Sequence, residues 1–218
     1  MTFNYDTDDI NEKEMELFDP DYIAINYSQF LCYDEEFDDW FDFIHKTLPQ
    51  SNIKWIKLGE GFNNSIDDLP DDIEYIYFND ATNFNQKINK FPKNLKKITL
   101  WGFNPIINQL PYTLKYLEIQ HSRQPNQNSY YDGIINFPPN LVAFSSLNFN
   151  MNIDNYNYLP ITLKLLYIIF DGENNNTLHL NNLPPVLKYL FIYKSKNLLL
   201  DCNNLPNSIK YKSINTFC

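Results

Sequence analysis

Residues 62–78 read FNNSIDDLPDDIEYIYF, residues 84–100 read FNQKINKFPKNLKKITL, and residues 103–119 read FNPIINQLPYTLKYLEI. The stretches differ at most polar positions and share one skeleton: Phe-Asn, an aliphatic residue, a hydrophobe-Pro pair, then hydrophobes three, six and eight residues after the proline. Working outward, the hydrophobe-Pro pair recurs as Leu48-Pro49, Leu69-Pro70, Phe91-Pro92, Leu110-Pro111, Phe137-Pro138, Leu159-Pro160, Leu183-Pro184 and Leu205-Pro206. The prolines lie 21, 22, 19, 27, 22, 24 and 22 residues apart. After each comes an L-x-x-L-x-L pattern: Ile53/Ile56/Leu58, Ile73/Ile76/Phe78, Leu95/Ile98/Leu100, Leu114/Leu117/Ile119, Leu141/Phe144, Leu163/Leu166/Ile168, Leu187/Leu190/Ile192 and Ile209/Ile214. Self-similarity at a fixed short period is the signature of stacked repeats.

The physics of one unit follows from its pattern. The x-L-x-L part alternates with period two, so it is a short strand with one buried face. Proline donates no ladder hydrogen bond and punctuates the chain just before that strand. One unit is too short to close a core. Stacked units pair their strands about 4.8 Å apart and merge their apolar residues into one interior. The return segments carry their own anchors, as in Phe62 and Ile66, Phe84 and Ile88, Phe103 and Ile107, Tyr130 and Ile134, and Leu198 and Cys202. With proline spacings near 22 residues, the return leaves little room for a full helix. The predicted fold is a leucine-rich-repeat-like solenoid. About eight short parallel strands form a concave sheet, the convex side is extended or 3-10, and an N-terminal cap holds one helix.

Charge divides the chain. Of 218 residues with net charge −10, the first 46 hold 14 acidic residues against 2 lysines, and the remainder is near neutral. Residues 1–47 therefore read as an acidic cap, and 48–218 as eight repeats. Within the cap, Tyr22, Ile23, Ile25, Tyr27 and Phe30 have strand character, whereas Phe37, Trp40, Phe41, Ile44 and Leu48 follow helical spacing. A helix over about 34–47 is predicted, with Glu35 and Glu36 favouring its first turn and Pro49 ending it. Its role is to cover the first repeat. At the far end, Lys212 stands between Ile209 and Ile214 where a hydrophobe belongs, a guard against edge pairing.

The motif F-N-x-x-I-x-x-L-P-x-x-L-x-x-L-x-L, carried by the three stretches quoted above, resembles the FNIP repeat of amoebal proteins and of giant DNA viruses that infect amoebae. A fourth pair, Phe149-Asn150, keeps Ile153, but its Leu159-Pro160 comes three residues late; the last two repeats lack Phe-Asn. The resemblance covers Leu48 to Ile214 and implies a binding scaffold without activity of its own. Many relatives carry an N-terminal F-box, but the acidic lead here lacks a Leu-Pro entry ahead of a helical run.

On the concave face, the residues beside the buried ones form rows. One row is Trp55, Tyr75, Lys97, Tyr116, Ala143, Leu165, Tyr189 and Tyr211; the next is Lys57, Tyr77, Thr99, Glu118, Ser145, Tyr167, Phe191 and Ser213. Trp101, Ile169 and Tyr193 lie just beyond. The candidate protein-binding residues are Trp55, Tyr75, Tyr77, Trp101, Tyr116, Tyr167, Tyr189, Phe191 and Tyr193, since tyrosine and tryptophan anchor interfaces. The alternative reading is that these aromatics stabilise neighbouring strands by cross-strand pairing. An A/T-rich genome would also enrich Phe and Tyr, as it would the 32 asparagines. A further row, Lys54, Glu74, Lys96, Lys115, Val142, Lys164, Lys188 and Lys210, marks one rim as basic. It is either a solvated edge or a track for the acidic lead or an acidic partner.

Catalytic patterns are missing from the sequence. His45, His121 and His179 are scattered, no metal-ligand spacing occurs, and only 5 glycines are present. Asp38-Asp39, Asp67-Asp68 and Asp71-Asp72 read as solvated surface acids. The acidic balance argues against nucleic acid, and no apolar run is long enough for a membrane helix. Cys32, Cys202 and Cys218 read as reduced thiols, and with no leader pattern the expected location is the cytoplasm, the host's if the chain is viral. No cofactor and no metal is expected. The expected function is a non-enzymatic scaffold that binds a host or viral protein through its aromatic concave face. The alternatives are a ubiquitin-ligase substrate adaptor without a recognisable F-box, and a self-associating structural protein that uses the solenoid end or the concave face for homotypic contacts, a homodimer through the last edge among them.

Overall fold

A computed structural model of the chain describes residues 30–33, 43–50, 52–59, 62–78, 84–101, 110–120, 136–147, 158–170, 177–180, 182–195, 199–201 and 204–217. Nine parallel strands form one sheet: β1 (Phe30–Tyr33), β2 (Trp55–Leu58), β3 (Tyr75–Phe78), β4 (Lys97–Trp101), β5 (Tyr116–Gln120), β6 (Ala143–Leu147), β7 (Leu165–Phe170), β9 (Tyr189–Ser195) and β11 (Tyr211–Phe217). Two short strands on the return side, β8 (Thr177–His179) and β10 (Leu199–Asp201), pair with each other. The architecture is a leucine-rich-repeat-like solenoid, and eight of the nine main strands fall on the L-x-x-L-x-L repeats.

The spacing of that pattern has a structural cause. In the six repeats of β3 to β7 and β9, two successive N–H groups donate to one carbonyl of the preceding repeat. Glu74 and Tyr75 share the Lys54 carbonyl at 2.9 and 3.1 Å, and Lys188 and Tyr189 share that of Lys164 at 2.8 and 3.0 Å. This is a bulge-like kink, at which two successive N–H groups point to the same neighbour and the phase of the alternation shifts. The first and second hydrophobes, three residues apart, therefore both face inward. Ile73, Leu95, Ile98, Leu100, Leu114, Leu141, Leu163, Leu166, Leu187 and Leu190 are all fully buried. Only in the end repeats are the equivalents, Ile53, Ile209 and Ile214, partly buried. Lys212 is exposed and in register with Leu190, as its place in the last strand predicts.

Proline has a second role besides punctuation. The N–H of the first hydrophobe donates to the proline carbonyl three residues back, from Ile73 to Pro70 at 3.2 Å through to Ile209 to Pro206 at 3.2 Å. The segment L-P-x-x-L is thus a closed turn in which proline supplies only an acceptor, so its missing N–H costs nothing.

The Phe-Asn pair is explained on the return side. Phe62 and Phe84 stack with ring centroids 6.0 Å apart, and Phe78 from the sheet meets Phe84 edge-on at 5.0 Å. The Asn63 side-chain oxygen accepts the Asn85 N–H at 3.0 Å, one repeat onward. Asp67 does the same for Asn89 and Lys90, at 2.9 and 3.1 Å. Where no continuous strand ladder runs, side-chain acceptors satisfy the return backbone. These segments are extended, as expected, and β8 with β10 adds a strand pair that the sequence reading did not place. The anchors Phe103, Ile107, Tyr130, Ile134, Leu198 and Cys202 lie outside the described residues.

At the N-terminal end the expected helix takes another form. Phe43–Thr47 is a π turn that passes into a 3-10 turn over Leu48–Gln50, so the winding includes Pro49 and does not stop before it. Ile44 and Leu48 are buried in the core, as their spacing predicts. Residues 34–42 of that prediction, with Phe37, Trp40 and Phe41, lie outside the described residues. The acidic lead also supplies β1, in register from Phe30 with Trp55 to Tyr33 with Leu58. No Leu-Pro turn precedes β1, so the repeat pattern did not locate it.

Candidate interaction face

The register turns the predicted rows into physical ladders. Trp55, Tyr75, Lys97, Tyr116, Ala143, Leu165, Tyr189 and Tyr211 follow one another across eight strands, as do Lys57, Tyr77, Thr99, Glu118, Ser145, Tyr167, Phe191 and Ser213. Trp101, Gln120, Leu147, Ile169 and Tyr193 make a third. All nine candidate residues lie on these ladders, and the eight other than Trp101 face away from the core side of the sheet.

Their exposure departs from expectation. Tyr75, Tyr116 and Phe191 are buried, at 7%, 5% and 6% exposure, so as single residues they are not the open anchors that the sequence suggested. The same face also buries Leu165, Ile169 and Thr99. Strands about 4.8 Å apart bring in-register side chains within contact, and large ones cover each other. The Trp55 and Tyr75 rings stack at 3.6 Å and 13°. Tyr167 lies 5.9 Å from Phe191 and 5.7 Å from Tyr193. The cross-strand role thus applies to the buried members, and the half-exposed ones are Trp55, Tyr77, Tyr167, Tyr189 and Tyr193. Trp101 holds its place at the end of β4 in register with Gln120.

Electrostatics on this face centre on Tyr77. Burial pushes its phenol up to about 12, and the Glu118 carboxylate adds to the rise. Lys57 lies over the Tyr77 ring, its Nζ 5.7 Å from the centroid, a cation–π contact. Tyr77 therefore keeps its proton at any physiological pH and offers a hydroxyl donor on this face. No family model and no curated protein matches this chain. Among the described residues no group of three or more His, Cys, Asp or Glu side chains gathers as metal ligands do. None of their helices is long and apolar enough to cross a membrane.

The rim row is ordered by the bulge. Its backbone runs from Lys54 through Glu74, Lys96, Lys115, Val142, Lys164 and Lys188 to Lys210, each N–H on the previous carbonyl at 2.7 to 2.9 Å. Sequence spacing alone identified this row. Its pairing with carboxylates was not legible, because the partner comes from the turn or rim of a neighbouring repeat.

Proposed function

We propose that this chain is a non-enzymatic scaffold that binds a protein through the solvent face of its sheet. The observation that supports the reading is the set of half-exposed aromatics, Trp55, Tyr77, Tyr167, Tyr189 and Tyr193, standing on rigid, mutually packed strands. Aromatic side chains offer large contact area at low entropic cost, and the stacked neighbours beneath hold them in place. The likeness of the repeats to the FNIP type agrees with a binding role and points to an amoebal or giant-virus source, with the partner in the host cytoplasm.

The test is capture from amoebal lysate with the wild type and a Tyr77/Tyr167/Tyr189/Tyr193→Ser variant whose fold is first checked by circular dichroism. A partner held by the wild type and lost by the variant is the expected result. Recovery of the same proteins by both, or of none by either, overturns the reading. The adaptor role would instead place the contact on the segment around Trp40, and the same capture after Trp40→Ala separates the two.

A further inference from the structure

The turn row and the lysine row run side by side along one rim. Lys54 establishes the adjacency: its Nζ reaches the Asp72 carboxylate at 3.1 Å and the Asp72 carbonyl at 3.2 Å. A rim lysine of one repeat thus lands on the second turn residue of the next. In the N-terminal repeats this neighbourhood is neutralised, since Lys54 pairs with Asp72 and Lys96 with Glu74 at 2.7 Å. The C-terminal repeats lack that compensation. The residue that corresponds to Asp72 is Val186 beside Lys164, and Ser208 beside Lys188. Among the described residues, Lys164, Lys188 and Lys210 are in no ion pair. They stack on consecutive repeats, each N–H 2.8 Å from the carbonyl before it. On the adjoining turns Ile161 and Val186 are exposed, at 75% and 41%. Two exposed apolar side chains therefore flank an uncompensated positive line.

We propose that this rim is the docking site of the chain's own acidic N-terminal segment, residues 1–29. That segment carries eight carboxylates and one lysine, with Phe3, Ile10, Leu17 and Phe18 set among them, so it complements the positive line and the apolar side chains beside it. The distance permits docking within one molecule. From β1 to β9 is seven steps in the sheet order, roughly 34 Å at about 4.8 Å per step. A segment of 29 residues spans up to about 95 Å when extended. Tethering raises the local concentration of the segment far above that of a free acidic competitor.

Carbodiimide coupling of carboxylates to lysines in the full chain, mapped by mass spectrometry, tests the proposal. The exposed return-side lysines Lys87 and Lys90 serve as controls. Crosslinks from residues 1–29 to Lys164, Lys188 and Lys210 should exceed those to the controls by about tenfold at low salt. They should fall at least about threefold in 0.5 M salt. A mixture of isotopically light and heavy protein should give crosslinks within one molecule. Equal yields at Lys87 and Lys90 overturn the proposal, as do predominantly mixed-isotope crosslinks, which assign the rim to a second copy. As a second measurement, Lys164→Glu/Lys188→Glu/Lys210→Glu and Ile161→Ser in the full chain should each speed hydrogen exchange over residues 1–29, and Lys87→Glu/Lys90→Glu should not. Unchanged exchange in the first two overturns it.

Discussion

Ser146 occupies a core position between Ile119 and Ile168, and its buried hydroxyl has no hydrogen-bond partner among the described residues. A hydroxyl in that setting is destabilising. Ser146→Val should raise stability by about 1–2 kcal/mol, read as a later urea midpoint at unchanged slope. Tyr77 gives a prediction of opposite sense. Its phenol ionises near 10.0 in the unfolded chain and at about 12 in the fold. Between those values the unfolded state loses its proton first, so the contribution is complete below the lower value and lost as pH rises through the upper one. Tyr77→Phe should therefore lose less thermal stability than the wild type on passing through that alkaline window. A parallel decline in the two proteins would contradict the burial that this argument uses. At this scale the sequence was least legible: Tyr75, Tyr116 and Phe191 have the same residue chemistry as their half-exposed neighbours, and only the side chains on adjoining strands bury them.

The turn, the bulged strand and the return segment are the elements, and each is tied to the next copy by a different kind of hydrogen bond. Asp67 carries the tie on the return side. Partial burial acts to raise its pKa, but the Asn89 side-chain amide and the backbone N–H groups of Asn89 and Lys90 outweigh it and hold the carboxyl below its ordinary 3.8. The stabilisation is present above that unfolded value and disappears as pH falls through the lower folded one. Asp67→Ala should cost about 1 kcal/mol at neutral pH, and the gap to wild type should close in acid. Thermal melts at neutral pH and below the ordinary carboxylate range would check both parts. The turn and strand were readable in advance because proline spacing and period-two alternation are local. The Asn63 and Asp67 ladders were not, since each acceptor serves a backbone group 22 residues away.

At the scale of the whole molecule the sheet order follows chain order, apart from the two return-side strands, so each repeat is held by its two neighbours and by little else. Stability in such a chain is a sum of nearest-neighbour terms. Amide hydrogen exchange should be slowest in β4 to β7, which are paired on both edges, and fastest in β1 and β11, which are paired on one. Uniform protection across the sheet would mean that the solenoid unfolds as a single unit. The same one-dimensional build explains the uneven rim: each lysine meets whatever turn the following repeat supplies, an aspartate near one end and Val186 or Ser208 near the other.

The sequence by itself determined the repeat, its register and its core, because hydrophobe-Pro spacing and strand alternation are properties of one repeat read along the chain. Tertiary structure alone decided which aromatics of the solvent face stay accessible, which rim lysines are neutralised, and that β1 joins the sheet. Each of those depends on a neighbour brought alongside by stacking, about 4.8 Å away in space and some twenty residues away along the chain.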